Sequence, residues 1–313
     1  MGEQIAILIN QIIIFAILMA IGYAAAKAEV LTKEALASLS RLIVKVILPA
    51  MIFSIVALSG VTTADFLISG RFILGAMLGF ALLIITGLAL SKLLKLEGKQ
   101  ANIFIALMTF GNVGFMGIPL IQGVFDDPVV PVSITVFAFI DITLLWTFGV
   151  YLCSRHRDDV DKLSALKNII NPMTISLILG MVFVFFNIPV PSPLQDAVAG
   201  IGNATPYLAL MYIGGMLAYL SVNNIMKKPS IFVLVVFKLL VVPVTAFYFL
   251  GFFMEDIPRS ILAIIIGLPS MTTIAMLATV YQSDDQYATE IIFVTTLACL
   301  LTIPFVSLIT SMM

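Results

Sequence analysis

The sequence predicts an all-α polytopic membrane protein, and three observations carry that reading. Of its 313 residues, 61% are hydrophobic and only 11% charged, with a mean hydropathy of +1.17; soluble domains carry about 25% charged residues. Apolar runs long enough to cross a ~30 Å hydrocarbon core recur from end to end. Two of these runs are interrupted midway, at Gly111-Asn112-Val113-Gly114-Phe115-Met116-Gly117-Ile118-Pro119-Leu120 and at Gly267-Leu268-Pro269-Ser270-Met271-Thr272-Thr273.

Taken in order, the runs place ten transmembrane helices near 5–26, 36–58, 71–93, 102–124, 131–153, 171–188, 196–220, 230–252, 260–281 and 288–310. The first carries Glu3 as its only charge before Lys27, so it lacks the basic leader of a signal peptide and is expected to be retained. The fourth and ninth hold the two interruptions, and the seventh is broken at Gly202-Asn203-Ala204-Thr205-Pro206. Ten spans of ~20 residues each leave no room for a separate soluble domain. Cys153 and Cys299 fall in or beside spans, and no disulfide is expected.

Basic residues set the orientation. Lys27, Lys33, Arg41 and Lys45 flank the first connection, and Lys92, Lys95 and Lys99 the third. Arg155, Arg157, Lys162 and Lys167 fill the fifth, and Lys227 and Lys228 the seventh. Only Arg71 and Arg259 lie near the opposite connections, and Lys238 lies within a span. Odd-numbered connections are therefore expected in the cytoplasm and both termini outside the cell membrane. Arg41 and Lys45, one turn apart, are expected to reach for headgroups.

The two halves, 1–156 and 157–313, read as copies. A shift carrying Gly111 onto Gly267 also carries Val124-Phe125 onto Val280-Tyr281 and the fifth span onto the tenth. Five spans per half is an odd number, so the second copy enters from the opposite face: an inverted repeat, as in several carrier folds.

Glycine costs roughly 1 kcal/mol per helical position and proline roughly 3, and proline also frees a carbonyl one turn back. In hydrocarbon such backbone is tolerated only where it faces protein or lines a cavity. A broken helix at membrane depth is where carriers hold their substrate. Each half-helix end brings uncapped N–H groups and about half a positive charge, so two ends at one cavity suit a carboxylate. Candidate substrate contacts at the breaks are Gly111, Asn112, Gly114, Pro119, Pro269, Ser270, Thr272 and Thr273, with Gln122 farther along. Asn112 is suited to donate to a carboxylate or to cap the second half-helix. Polar residues elsewhere in spans include Asn10, Gln11, Ser54 and Tyr212, with Asn203 and Thr205 favoured because they precede Pro206 in the seventh helix. Asp141 lies within the fifth span, where an ionised carboxylate is costly; it either marks a proton or ion pathway or is paired to another helix without a transport role. Lys238, inside the eighth, is its natural partner or a purely structural cation.

The motif Gly111 to Leu120 resembles the fourth-helix motif of the auxin efflux carrier family, and Asn112 and Met116-Gly117-Ile118-Pro119-Leu120 match its plant members. The resemblance spans essentially the whole chain, including Pro49 and Gly267-Leu268-Pro269; its short connection at 154–170 is that of the bacterial malonate or malate permeases. It implies a fold like the bile-acid sodium symporters, with crossed, broken helices 4 and 9. It further implies a scaffold of helices 1, 2, 6 and 7, through which a homodimer would form. Helices 3–5 and 8–10 would make a moving transport domain. The implied activity is secondary transport of a small carboxylate anion by an elevator motion, without a bound cofactor but with possible proton or sodium coupling. Monocarboxylates and aromatic acids are the alternative substrates. The sequence shows no catalytic constellation, so an intramembrane enzyme is disfavoured. It has no Walker-type loop for nucleotide-driven transport and no basic, aromatic-interleaved patch for nucleic acid.

Overall fold

A computed structural model describes residues 2–58, 60, 62, 69–156, 172–219 and 225–311. Arg157, Lys162 and Lys167, counted above in the fifth connection, lie outside them. The described chain is helical, and helix occupies each position at which a span is expected. The first half runs α1 (Gly2–Lys27), α2 (Lys33–Ala57), α3 (Gly70–Leu93), α4 (Gly98–Thr109), α5 (Ile118–Val124) and α6 (Val129–Leu144). The last continues through a π-turn, Leu145–Gly149, to Ser154. The second half runs α7 (Pro172–Phe185), α8 (Ser192–Asn203), α9 (Thr205–Leu217), α10 (Pro229–Leu250), α11 (Asp256–Ile266), α12 (Thr272–Val280) and α13 (Asp285–Ser311).

Lys33–Ala57, Gly70–Leu93, Val132–Ser154 and Pro229–Leu250 are long and apolar enough to cross a membrane unaided. Large apolar side chains stand exposed along the outer faces, among them Leu74, Met77, Ile85 and Leu88 of α3 and Ile175, Ile178 and Leu179 of α7. Exposure on this scale is what a bilayer covers. Cys153 and Cys299 are both buried free thiols, and Arg41 and Lys45 are exposed in the middle of α2.

Three prolines inside the long helices are handled in one way, whereas Pro304 lies within α13 without a π-turn. A π-turn closes just before each of Pro49, Pro119 and Pro243. Its final bond spans five residues: Leu48 N–H to Ile43 O, Ile118 N–H to Val113 O, Val242 N–H to Phe237 O. Each proline then sits in the first turn of a new α-helical stretch, where its missing N–H is not needed. Pro119, a candidate substrate contact in the sequence, sits at the beginning of α5. Its side chain lies outside the described residues, as does that of Gln122.

Packing divides the helices. α1 lies on α9, and α7 and α8 pack against α2. α3 packs on α4, α11 and α6, while α10 contacts α11 and α13. α12 touches α13 on one side and α2 and α9 on the other. The crossing of α1 and α9 is so close that a Cβ at Gly22 would strike the Met211 carbonyl and one at Gly214 the Met19 carbonyl. Small residues are what let helices approach this closely without a hydrophobic driving force.

Candidate functional site

The two breaks meet. After α4 the chain leaves helical geometry at Phe110, and after α11 it does so from Gly267 to Met271. Gly111 and Ser270 form an isolated antiparallel bridge. Its bonds run from Asn112 N–H to Pro269 O at 2.8 Å and from Met271 N–H to Phe110 O at 3.1 Å. Backbone freed by the glycines and prolines is thereby satisfied across the crossing, as a low-dielectric setting demands. A Cβ at Gly111 would press on the Ile265 carbonyl and Leu268, and one at Gly117 would overlap Leu268. Both glycines sit tight against the crossing, whereas Gly114 faces open space.

Side chains brace the same point. Ser270 is fully buried; its hydroxyl donates to Leu107 O at 2.9 Å and its N–H to Thr295 Oγ1 at 3.2 Å. The Lys238 ammonium, 0% exposed, donates to Met108 O at 2.8 Å. A cation there complements the negative end of α4 as well as satisfying a carbonyl the break leaves orphaned. No ion pair joins Lys238 to Asp141 among the described residues, although each lies within range of the other's charge. The partnership expected from sequence is thus electrostatic at a distance, because the lysine is drawn to the helix end.

Beside the crossing is a cavity of about 50 Å3. At roughly 10–15 Å3 per water it holds a few waters. The breaks contribute Asn112, Val113, Gly114 and Ile118 on one side and Met271 and Thr273 on the other. α6 contributes Ala138, Asp141, Ile142, Leu145 and Trp146, and α2 contributes Leu48, Met51, Ile52 and Ile55. The cavity therefore lies where the start of the two second half-helices faces α2.

Asn112 is 2% exposed and adopts φ −80°, ψ 63°. With Val113 N–H bonded to Gly111 O at 2.9 Å, this is an inverse γ-turn. Its carbonyl accepts from Met116 and Gly117, but its side chain makes no capping bond. Of the two roles expected for Asn112, capping is absent, and its amide makes no hydrogen bond among the described residues. Around the cavity other polar atoms are also buried without partners: Asp141 Oδ1, Trp146 Nε1 and, just behind Thr273, Thr272 Oγ1.

Of the residues expected from sequence, Asn112, Gly114, Thr273 and Asp141 line this cavity. Gly111, Pro269 and Ser270 build the crossing rather than the cavity wall. Asn203 is exposed, and Thr205 is buried with its hydroxyl unpartnered; neither lines the cavity. The interruption of the seventh span is a helix junction between α8 and α9, not an unwound segment, so it presents no backbone to a ligand. The opposing wall is instead the apolar face of α2. Sequence reasoning missed Trp146, yet Ala138, Asp141, Ile142, Leu145 and Trp146 follow the spacing of one helical face.

Helices unwound at membrane depth, each satisfying the other's backbone beside unpaired polar groups, are the device of carriers. The class these features define is the membrane transporter. The sequence matches the membrane transport protein family over residues 7–307, and the chain belongs to that family, the auxin efflux carriers. It is also 26% identical over 309 residues to an uncharacterized transporter of Methanocaldococcus jannaschii, a match covering 93% of this chain and 95% of that one.

Proposed function

We propose that the protein is a secondary transporter of small organic carboxylates, binding them beside the crossing of the two broken helices. The observation that carries this reading is the uncommitted Asn112 amide at a cavity bordered by two half-helix N-termini. Those N-termini supply partial positive charge and donors without a fixed counter-cation.

The motion proposed is an elevator of α3–α6 with α10–α13 against a scaffold of α1, α2 and α7–α9. Its support is the packing, which is dense within each set, and the recurrence of a broken helix followed by a long one in both halves. That recurrence also supports an inverted repeat of 1–156 and 157–313, and the clustering of Lys and Arg in the odd-numbered connections supports both termini outside the cell membrane. Hydrogen bonds cross the proposed sliding surface: Ser40 Oγ to Met276 O at 3.0 Å, and Tyr212 Oη with Thr279 Oγ1, which in turn donates to Asp285 Oδ2 at 3.0 Å. Tyr287 Oη to Ser230 Oγ, at 2.7 Å, lies within the moving set. Tyr212→Phe is expected to speed hydrogen exchange in α12 and change turnover. Tyr287→Phe should lower the unfolding midpoint while leaving that exchange unaltered. Equal exchange in both variants would count against the sliding surface.

Malonate- or malate-like dicarboxylates are the first candidates, from likeness to the compact family members. A second reading, monocarboxylates with an apolar body, is favoured by the wall opposite Asn112. Leu48, Met51, Ile52 and Ile55 offer nothing to a second carboxylate, and among the described residues no Lys, Arg or His lines the cavity. Asp141, the acid that α6 brings to the cavity, is the proposed carrier of a coupled proton. The test is uptake of radiolabelled malonate and butyrate by purified protein in liposomes, with pH and sodium gradients imposed separately. Asn112→Ala is expected to reduce saturable uptake at least ten-fold, the order of one charge-assisted hydrogen bond. An inward proton gradient is expected to drive it. Uptake indifferent to Asn112→Ala would remove the site from the crossing.

A further inference from the structure

The chain contains one tryptophan, Trp146. In membrane proteins this side chain ordinarily sits at the headgroup level with its N–H in water. Here it is 1% exposed inside Val132–Ser154, and its Nε1 is buried without a hydrogen-bond partner. Indole nitrogen is a donor only, so the unmet need is for an acceptor. Buried donors are rarely left unpaired, because the group gives up its hydration on burial and regains nothing. The nearest carboxylate on its own helix face is Asp141, which makes no bond to it and has an oxygen of its own unpartnered. Trp146 and Asp141 share the cavity wall with Asn112 and Thr273.

We infer that Trp146 is a ligand-contacting residue, its indole N–H donating to the carboxylate of the bound anion while its ring borders the apolar part. The inference rests on the carboxylate-carrier reading above and adds a residue and a selectivity to it. Asn112 and Trp146 together give one carboxylate two side-chain donors from two different helices. The aromatic ring and the α2 face then receive the hydrocarbon. A single-carboxylate ligand with an apolar body satisfies every one of these groups, and the site selects for it over malonate.

Because Trp146 is unique, one signal reads the interaction in the unmodified protein. The indole N–H of 15N-labelled protein in detergent gives a single cross-peak, to be followed during titration with butyrate and, separately, malonate. The expected result is a saturable downfield shift, at lower concentration with butyrate. Trp146→Phe keeps a ring in the wall and loses the donor. It is expected to raise KM for butyrate roughly ten-fold with little change in maximal rate. Saturable, Asn112-dependent uptake with a stationary cross-peak, or with an unchanged KM in a well-folded Trp146→Phe, overturns the role of Trp146 alone. A shift that saturates at lower malonate than butyrate overturns the selectivity. Neither uptake nor any shift with either acid overturns the carboxylate reading, and the inference with it.

Discussion

Gly214→Leu is expected to abolish the folded protein, leaving no monodisperse species in detergent and no uptake. At Gly214 a Cβ would already overlap the Met19 carbonyl, and the reciprocal contact of Gly22 with the Met211 carbonyl lies one turn away on the same crossing. The obstacle at both positions is backbone, so no rotamer change relieves it. Overpacking a core against mobile side chains costs about 1–3 kcal/mol. Here α1 and α9 must separate along their contact, which forfeits the dispersion that holds helices together in lipid. Even Gly214→Ala should be severely destabilised, since the β-carbon itself collides. Gly200→Ala on α8 is the matched control: that position faces open space, and alanine improves helix propensity by about 1 kcal/mol. The check is size-exclusion profile and unfolding midpoint for the three variants. Folded Gly214→Leu would show that α1 and α9 do not pack this closely.

The second large effect is expected at Lys238. Lys238→Met fills similar volume but removes the donor to Met108 O at 2.8 Å, leaving a buried carbonyl unsatisfied at about 1–3 kcal/mol. It also deprives Asp141 of the positive charge within its range. A destabilised protein with strongly reduced transport is the expected result. Lys238→Met combined with Asp141→Asn should be less unstable than the sum of the two single variants, with a coupling of roughly 0.5–3 kcal/mol. Transport should not recover in the double variant, because Asp141 is at the cavity and the amide carries no titratable proton. A double-mutant cycle in unfolding midpoint, run beside uptake, separates the two effects. Strict additivity would make Lys238 a cap for α4 with no electrostatic link to Asp141.

Lys238 also illustrates how a correct local signal acquires its meaning only in three dimensions. A cation in the middle of an apolar run marks itself in sequence as needing a partner. Its candidates there were limited to other charged residues, and Asp141 was the one available. The carbonyl of Met108 becomes a partner because α4 ends at that point, and the helix end lies against α10 only after folding. Ser270 follows the same logic. As a hydroxyl beside a break it was expected at the ligand, yet its oxygen and N–H are consumed in holding Leu107 and Thr295.

What the sequence determined by itself is what depends on short-range physics. Hydrocarbon length against apolar run length gave the membrane class, and the helical positions followed. Glycine and proline energetics located the two breaks, and the need of freed backbone for partners pointed to a site there. Asn112, Gly114 and Thr273 were legible at the cavity on those grounds, and Asp141 on the cost of a carboxylate within a span. Only the tertiary structure decided which unwound segment faces which, since the bridge of Gly111 to Ser270 joins residues half a chain apart. It alone separated residues that build the crossing from those that border the cavity, and made the opposite wall the apolar face of α2 instead of Asn203 and Thr205. It also brought Trp146 to the cavity with its N–H unpaired. Sequence periodicity can put residues on one helix face, but what that face meets is fixed by the packing of helices distant in the chain.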